Sequence, residues 1–302
     1  MQIRTGGAQL LIPGLTVIQP MAGVAGYAGP FDGITFAALY GMKRFLASYT
    51  GSLIRLRRSS DDTESDFGYD AVTGLLDTAA IATFIGGGSG FIKTWYDQSG
   101  NSRDVTQATA TNQPLYVASM VNSLPGVRFD GNDNYLEKTG ITLTLNDPCL
   151  AFAFNMVART ENDGVISMAA TGANDYDSAN GLAVSHGAAT VMGHLRQGFA
   201  NVVNHTASLS TGTWYVTTTT QIDGNAAIRL NGGAAASTDT YTDTAMSPNR
   251  IILSGRYESA AARFGQNDMT CVAVLDGLST ANHNTIGNEL ATLYGLTWGT
   301  VS

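Results

Sequence analysis

The chain has 302 residues, a formal net charge of −8 and only 13% charged residues, roughly half the usual share of about 25%. An acidic chain whose basic run, Arg55, Arg57 and Arg58, is followed at once by Asp61, Asp62, Glu64 and Asp66 is a poor phosphate binder, so nucleic acid is not an expected partner. No stretch approaches the eighteen apolar residues of a membrane helix, and glycine, at 35 residues, is well above its typical share of about 7%, as suits a turn-rich β protein.

Residues 1 to 33 carry three prolines, many glycines and neither helical nor strand periodicity. Leu10, Leu11, Ile12, Leu15, Val17 and Ile18 make this stretch apolar, and an arm of that kind orders by burying itself against another surface. It is therefore expected to be an assembly arm making the chain a homo-oligomer, with a trimer as the working guess. Arg4 offers only a thin basic region, and Pro13 and Gly14 interrupt the apolar stretch, so no secretion signal is expected and synthesis is placed in the cytoplasm.

Apolar residues at Phe36, Leu39, Met42 and Leu46 recur at helical spacing after Thr35 and predict a short helix over 36–48. A strand over 53–58 follows, then an acidic loop to Asp70, then a helix capped by Asp77 that stops at Gly86. The loop GGGSG lacks a following Lys-Ser/Thr and leads into a strand, so it is not a phosphate cradle. Phe91 to Tyr96 reads as a strand, and Asp97, Ser99, Gly100 and Asn101 force a sharp turn after it.

Short strands separated by turn residues then run to the C-terminus, at 115–118, 127–129, 135–138, 141–145, 149–158, 165–169, 181–185, 190–197, 214–222, 226–231, 250–255 and 269–275. A helix over 281–294, capped by Ser279 or Thr280, closes the chain. Cys149 and Cys271 lie inside apolar strands and are expected to be buried thiols.

The turn TWYDQSGN with the NQP that follows resembles the YDQSGNG-type motif of the arabinofuranosidase B catalytic domain. It also resembles concanavalin A-like, or LamG-like, domains of bacteriophage structural proteins. The segments MKRFLASYTGSLIRLRRSSD, LPGVRFDGNDNYL and MTCVAVLDGLSTANHNTIGNELATLYGL are similar to parts of the same sandwiches. The resemblance implies an all-β fold: a concanavalin A-like antiparallel β-sandwich (jelly roll) with a few short helices and an extended N-terminal arm. The expected division is an arm at 1–33 and a sandwich at 34–302, arabinofuranosidase-B-like over 34–124 and LamG-like over 125–302.

For function, the phage resemblance implies a virion structural protein, a decoration, fibre or tail adhesion module located on the particle and joined to other virion proteins through its arm. Host-surface glycans are the expected ligand, and Asp175, Tyr176, Asp177 and Asn180, with His194 and Arg196, form the candidate patch: one aromatic ring among hydrogen-bonding groups. The alternatives are an arabinofuranosidase-type glycoside hydrolase and a structural sandwich without ligand. A retaining glycosidase needs two carboxylates about 5 to 5.5 Å apart. No such pair can be transferred from the family, whose adjacent cysteine pair is also absent, and Glu161, Asp163, Asp175, Asp177 and Asp223 read as solvated turn acids. The expectation is a protein that is not an enzyme. His186, His194, His205 and His283 lack metal-ligand spacing, no GxSxG elbow occurs, and Asp130 to Asn134 reads as a hairpin turn, so neither metal nor cofactor is expected.

Overall fold

The computed structural model describes residues 26–302 except 159, 177–179, 188–190, 198–201 and 243, and only the backbone of 191–197 and 202–205. The arm residues Leu10, Leu11, Ile12, Leu15, Val17 and Ile18 lie outside the described residues. In chain order the strands are β1 (Ala38–Gly41), β2 (Ile54–Arg58), β3 (Glu64–Phe67), β4 (Gly90–Trp95), β5 (Val105–Thr106), β6 (Leu115–Val121), β7 (Leu124–Arg128), β8 (Leu136–Thr139), β9 (Pro148–Met156) and β10 (Gly164–Ala169). They continue as β11 (Leu182–His186), β12 (Val191–Gln197), β13 (Val202–Ser208), β14 (Trp214–Ile222), β15 (Asn225–Leu230), β16 (Ser237–Thr240), β17 (Arg250–Leu253), β18 (Arg256–Tyr257), β19 (Ala261–Ala262) and β20 (Asn267–Asp276). Helix α1 is Thr78–Ile85 and helix α2 is Thr280–Tyr294.

All pairings between these strands are antiparallel, as expected for a sandwich. The front sheet runs β1-β20-β9-β14-β15-β16 and the back sheet runs β3-β2-β4-β5-β8-β17-β10-β11-β12-β13, with β6 and β7 joining β4 to β20. Strand alternation divides the core in two. Leu150, Phe152 and Phe154 of β9 point between the sheets, against Ile166 and Met168 of β10, Val184 of β11 and Leu253 of β17. Cys149, Ala151 and Ala153 point the other way, where Ile286 and Leu290 of α2 cover them together with Phe31, Phe36 and Phe45. The front sheet is therefore buried on both faces, which is why β9 and β20 read as nearly unbroken apolar runs.

Both thiols are free and buried, as expected. Cys149 and Cys271 lie on neighbouring strands, but Cys149 pairs with Leu275 and Cys271 with Ala153, so their registers are far apart. Burial pushes the Cys149 thiol up to about 12 and raises that of Cys271 further. The caps of both helices are also as read: Asp77 accepts from Ala80 N at 2.9 Å, and Ser279 accepts from Asn282 N at 3.3 Å.

Residues 36–48 are not a helix. Ala38–Gly41 forms β1 at the edge of β20, with every residue buried. A strand covered on both faces shows no alternation, and its apolar residues fell at helical spacing by chance of sequence. Glu64–Phe67 is β3, the returning strand of a hairpin with β2, so the acidic stretch is not loop throughout, and 141–145 carries only an isolated bridge, Leu145 to Met246. Strands β13 and β16 are additional, with the sequences VVNHTAS and STDT, the second without an apolar residue. The end of the expected arm packs on the chain's own body: Phe31 is fully buried and stacks on Phe45 with ring centroids 4.5 Å apart.

The turn Asp97 to Asn101 fastens β1 to the back sheet. Asp97 Oδ1 accepts from Leu39 N at 2.9 Å and from Ser99 N at 2.9 Å, while Oδ2 accepts from Ser99 Oγ at 2.8 Å and Arg103 N at 3.0 Å. Gln98 accepts from Phe45 N at 2.8 Å and donates to Lys43 O at 2.9 Å, and Asn101 donates to Phe36 O at 3.0 Å. These side chains satisfy the backbone of a buried, irregular segment that no ladder could serve. Asp97→Ala orphans several of those donors at once and should lower stability by about 3 kcal/mol or more in urea denaturation. A loss below about 1 kcal/mol would mean the turn does not hold β1.

Candidate active site

At one end of the sandwich the loop before β10 meets the loop after β10 and the β18–β19 hairpin. Asn162 takes a left-handed conformation (φ 70°), and this turn is clamped to β11 by Asn162 N to His186 O at 2.8 Å and His186 N to Asp163 O at 2.8 Å. Gly164 donates to Arg263 O at 2.7 Å. A Cβ on Gly164 would lie 2.3 Å from the carbonyl of Gly255, so only glycine lets the two loops approach this closely. Beneath them, Asn267 donates to Gly164 O at 3.0 Å and to Ser254 Oγ at 2.9 Å. Its Oδ1 is thereby left to accept from His186 Nε2 at 2.8 Å.

The hairpin is strained. Ser254, Ser259 and Arg263 all have positive φ without being glycine, so with Asn162 this one cluster holds four of the ten such residues among those described. Strained backbone kept in place by surrounding structure concentrates at functional sites. Arg263 is its hub: Nε bonds Glu258 Oε1 at 2.5 Å, and Asp163 lies close enough to act electrostatically on the same guanidinium. Asp163 is half-buried, and that burial raises its carboxyl above the usual range, against the opposing pull of a Thr160 hydrogen bond and Arg263. Burial thus favours the neutral form of Asp163, the form a general acid needs, while Glu258 is ion-paired to Arg263.

The floor is a buried ion pair. Arg256 donates from Nε to Asp175 Oδ2 at 2.8 Å and from Nη2 to Asp175 Oδ1 at 2.7 Å, and Tyr257 N donates to Asp175 Oδ2 at 2.9 Å. Asp175 is 0% exposed and Arg256 3%. Asp175 is consequently not a glycan contact, contrary to the sequence expectation; a carboxylate in a turn between Asn and Tyr looks solvated until its distant partner is known. Tyr176 does stand beside the site, its ring 5.4 Å from the Arg256 guanidinium carbon. Asn180 Oδ1 accepts from Ser247 N at 2.6 Å, which commits it to holding a loop. Asp177 lies outside the described residues. His194 and Arg196 are placed on β12 by register, opposite Val184 and Val203, and their side chains are outside the description.

Elsewhere, Asp104 and Glu137 border an open cleft of about 480 Å³ with Tyr135 and Lys138. Both carboxylates there are already employed: Asp104 accepts from Asp97 N at 2.9 Å, and Glu137 pairs with Arg250 Nη1 at 2.8 Å. Among the described residues no His, Cys, Asp and Glu group could hold a metal ion.

A family model described as alpha-L-arabinofuranosidase B, catalytic, matches residues 32–125. Alpha-L-arabinofuranosidase B of Aspergillus kawachii is 32% identical over 136 residues, covering 45% of this chain and 24% of that protein. The Aspergillus oryzae protein of that name is 30% identical over 161 residues, covering 51% and 29%. Among solved structures, an arabinofuranosidase complexed with arabinofuranosyl-α-1,2-xylobiose superposes with a TM-score of 0.70 at 18% identity, covering 88% of this chain and 64% of that one. A GH54 α-L-arabinofuranosidase soaked with a cyclic sulfate inhibitor gives 0.68 at 18% identity, covering 86% and 63%. The match to the Aspergillus kawachii protein thus spans about a quarter of its length.

The chain is a glycoside hydrolase-like β-sandwich. These matches overturn the expectation of a non-enzymatic virion structural protein, together with its location on a phage particle: the similarity is to arabinofuranosidases. The sequence reading went astray because the shared turn is structural and carries no catalytic group, so it could not discriminate between proteins built on one sandwich. Asp163 was read as a solvated turn acid because the Asn-Asp-Gly turn is also an ordinary loop signal, and Glu258 and Arg263 were not singled out because nothing local marks them.

Removing one partner of the floor leaves a charge buried alone, so Asp175→Leu should cost about 3 to 5 kcal/mol, whereas Asp175→Leu with Arg256→Leu should recover a large part of that loss. Denaturant midpoints measure both. A double variant as unstable as the single one would show that the pair is not the unit that supports these loops.

Proposed function

We propose that the chain is a glycoside hydrolase of the arabinofuranosidase type, releasing arabinofuranosyl groups, with Asp163 as general acid and Glu258 as the partner carboxylate. The observation that carries the reading is that Arg263 ion-pairs with Glu258 and acts electrostatically on Asp163, in a sandwich similar over 88% of its length to an arabinofuranosidase. Asp163 is suited to protonate the departing glycosidic oxygen, because burial favours its neutral form. Glu258, held by Arg263 on the strained hairpin, would act at the anomeric carbon, directly or through water. Tyr176 would form one wall.

The two roles separate by leaving group. A 4-nitrophenolate departs without a proton, whereas a sugar alkoxide needs one. With 4-nitrophenyl α-L-arabinofuranoside, Glu258→Gln should lower kcat/KM by about 100-fold or more, and Asp163→Asn should do much less. With arabinofuranosyl-α-1,2-xylobiose both variants should lose about 100-fold or more. Asp104→Asn should stay within a few-fold of the unaltered chain on both substrates. Absence of hydrolysis by the unaltered chain, or full activity in both variants, would refute the assignment.

A further inference from the structure

The outer face of the front sheet beyond α2 carries an open cleft of about 610 Å³ that the candidate active site does not use. Its lining follows from register. Thr218 pairs with Arg229 and Thr220 with Ala227, and Ala227 pairs with Thr238 while Asn225 pairs with Thr240. Alternation therefore brings Thr220, Asn225, Arg229, Thr238 and Thr240 to one face, with Ile222 and Ala227 as an apolar floor. The opposite face of β15 turns Ile228 into the core between the sheets.

Arg229 is the unusual member. Its Nε donates to Gly233 O at 3.3 Å, and no carboxylate among the described residues lies within ion-pair distance of its guanidinium. The group is partly buried, and desolvation lowers its affinity for a proton with nothing opposing it. Asp239 also borders the cleft but makes no ion pair with Arg229. The imidazole of His283, on the adjoining α2, is bonded to Thr218 Oγ1 at 2.7 Å and is held neutral, down to about 4, by burial and by the Arg229 charge. A partly desolvated cation facing an open, hydroxyl-lined cleft, with no counter-charge among the described residues, suits an anion.

We propose that this cleft is a saccharide subsite for an acidic sugar, in which Arg229 pairs with the carboxylate of a uronic acid while Thr220, Thr238, Thr240 and Asn225 bond its hydroxyls. The choice of a sugar acid rests on the glycoside hydrolase reading; the placement of the anion on Arg229 does not. The chain's net charge of −8 offers anions no general attraction, so any such binding must come from this local arrangement.

The test is binding, without turnover. Isothermal titration of the whole chain with D-glucuronate, D-xylose and inorganic phosphate should show glucuronate binding at least tenfold tighter than either of the others. Arg229→Gln should weaken glucuronate at least tenfold while leaving hydrolysis of 4-nitrophenyl α-L-arabinofuranoside unchanged. Thr238→Val, on an exposed edge strand, should weaken glucuronate and leave the fold intact, which keeps the test informative if the arginine variant is unstable. Glucuronate that does not bind, or that binds Arg229→Gln or Thr238→Val as tightly as the unaltered chain, overturns the proposal. Phosphate binding as tightly as glucuronate also overturns it, since the cleft would then recognise an oxyanion and not a sugar. Loss of hydrolysis with binding intact, or the reverse, separates this subsite from the active-site assignment.

Discussion

The fold depends on one buried carboxylate. Asp97 is 4% exposed and serves the backbone of β1, its own turn and the segment leading to β5, so the edge of the front sheet and the middle of the back sheet are tied at a single residue. A hydrogen-bonded ladder could not do all of this, because residues 42–48 are irregular and the amides of Phe45 and Ala47 are met by the side chains of Gln98 and Asp32. Gln98 extends the same service to Phe45 and Lys43, and Arg103 donates to Ala37 O and to Thr142 O. The residues similar to the arabinofuranosidase family are thus the ones that close the sandwich.

Once the sandwich is closed, the proposed chemistry belongs to the loops at one end. The two core layers fix β10 and β11, and the His186 to Asn267 to Gly164 chain of hydrogen bonds carries that rigidity into the turn that holds Asp163. The Asp175 to Arg256 pair does the same for the hairpin that holds Glu258. Buried pairs of this kind add little net stability, yet a wrong arrangement of the loops would strand a charge, so they select one geometry. Preorganised carboxylates on rigid supports are what a hydrolytic site requires.

The sequence made the β class, most strands from Leu53 onward, both helix caps and the thiol state legible, because each rests on local signals: apolar runs bounded by turns, Asp77 and Ser279 before helical patterns, and cysteines within apolar strands. It misread 36–48, where burial on both faces erased the period of two. The site was the least legible part. Asp163 and Glu258 are 95 positions apart and nothing local marks either; Arg263 ion-pairs with Glu258 and acts electrostatically on Asp163. Asp175, the most promising glycan contact by its neighbours, is buried by Arg256, 81 positions further on. Long-range pairing decides the exposure of a turn carboxylate, and composition around it does not.

The central claim is that Asp163 and Glu258 flank one sugar-binding point. A crystal structure of Glu258→Gln soaked with arabinofuranosyl-α-1,2-xylobiose addresses it directly. The arabinofuranosyl ring should lie against Arg263 and Tyr176, with the glycosidic oxygen within hydrogen-bond reach of Asp163 and the anomeric carbon facing residue 258. An arabinofuranosyl ring bound instead in the cleft between Asp104 and Glu137, with the end of the sandwich unoccupied, would contradict it.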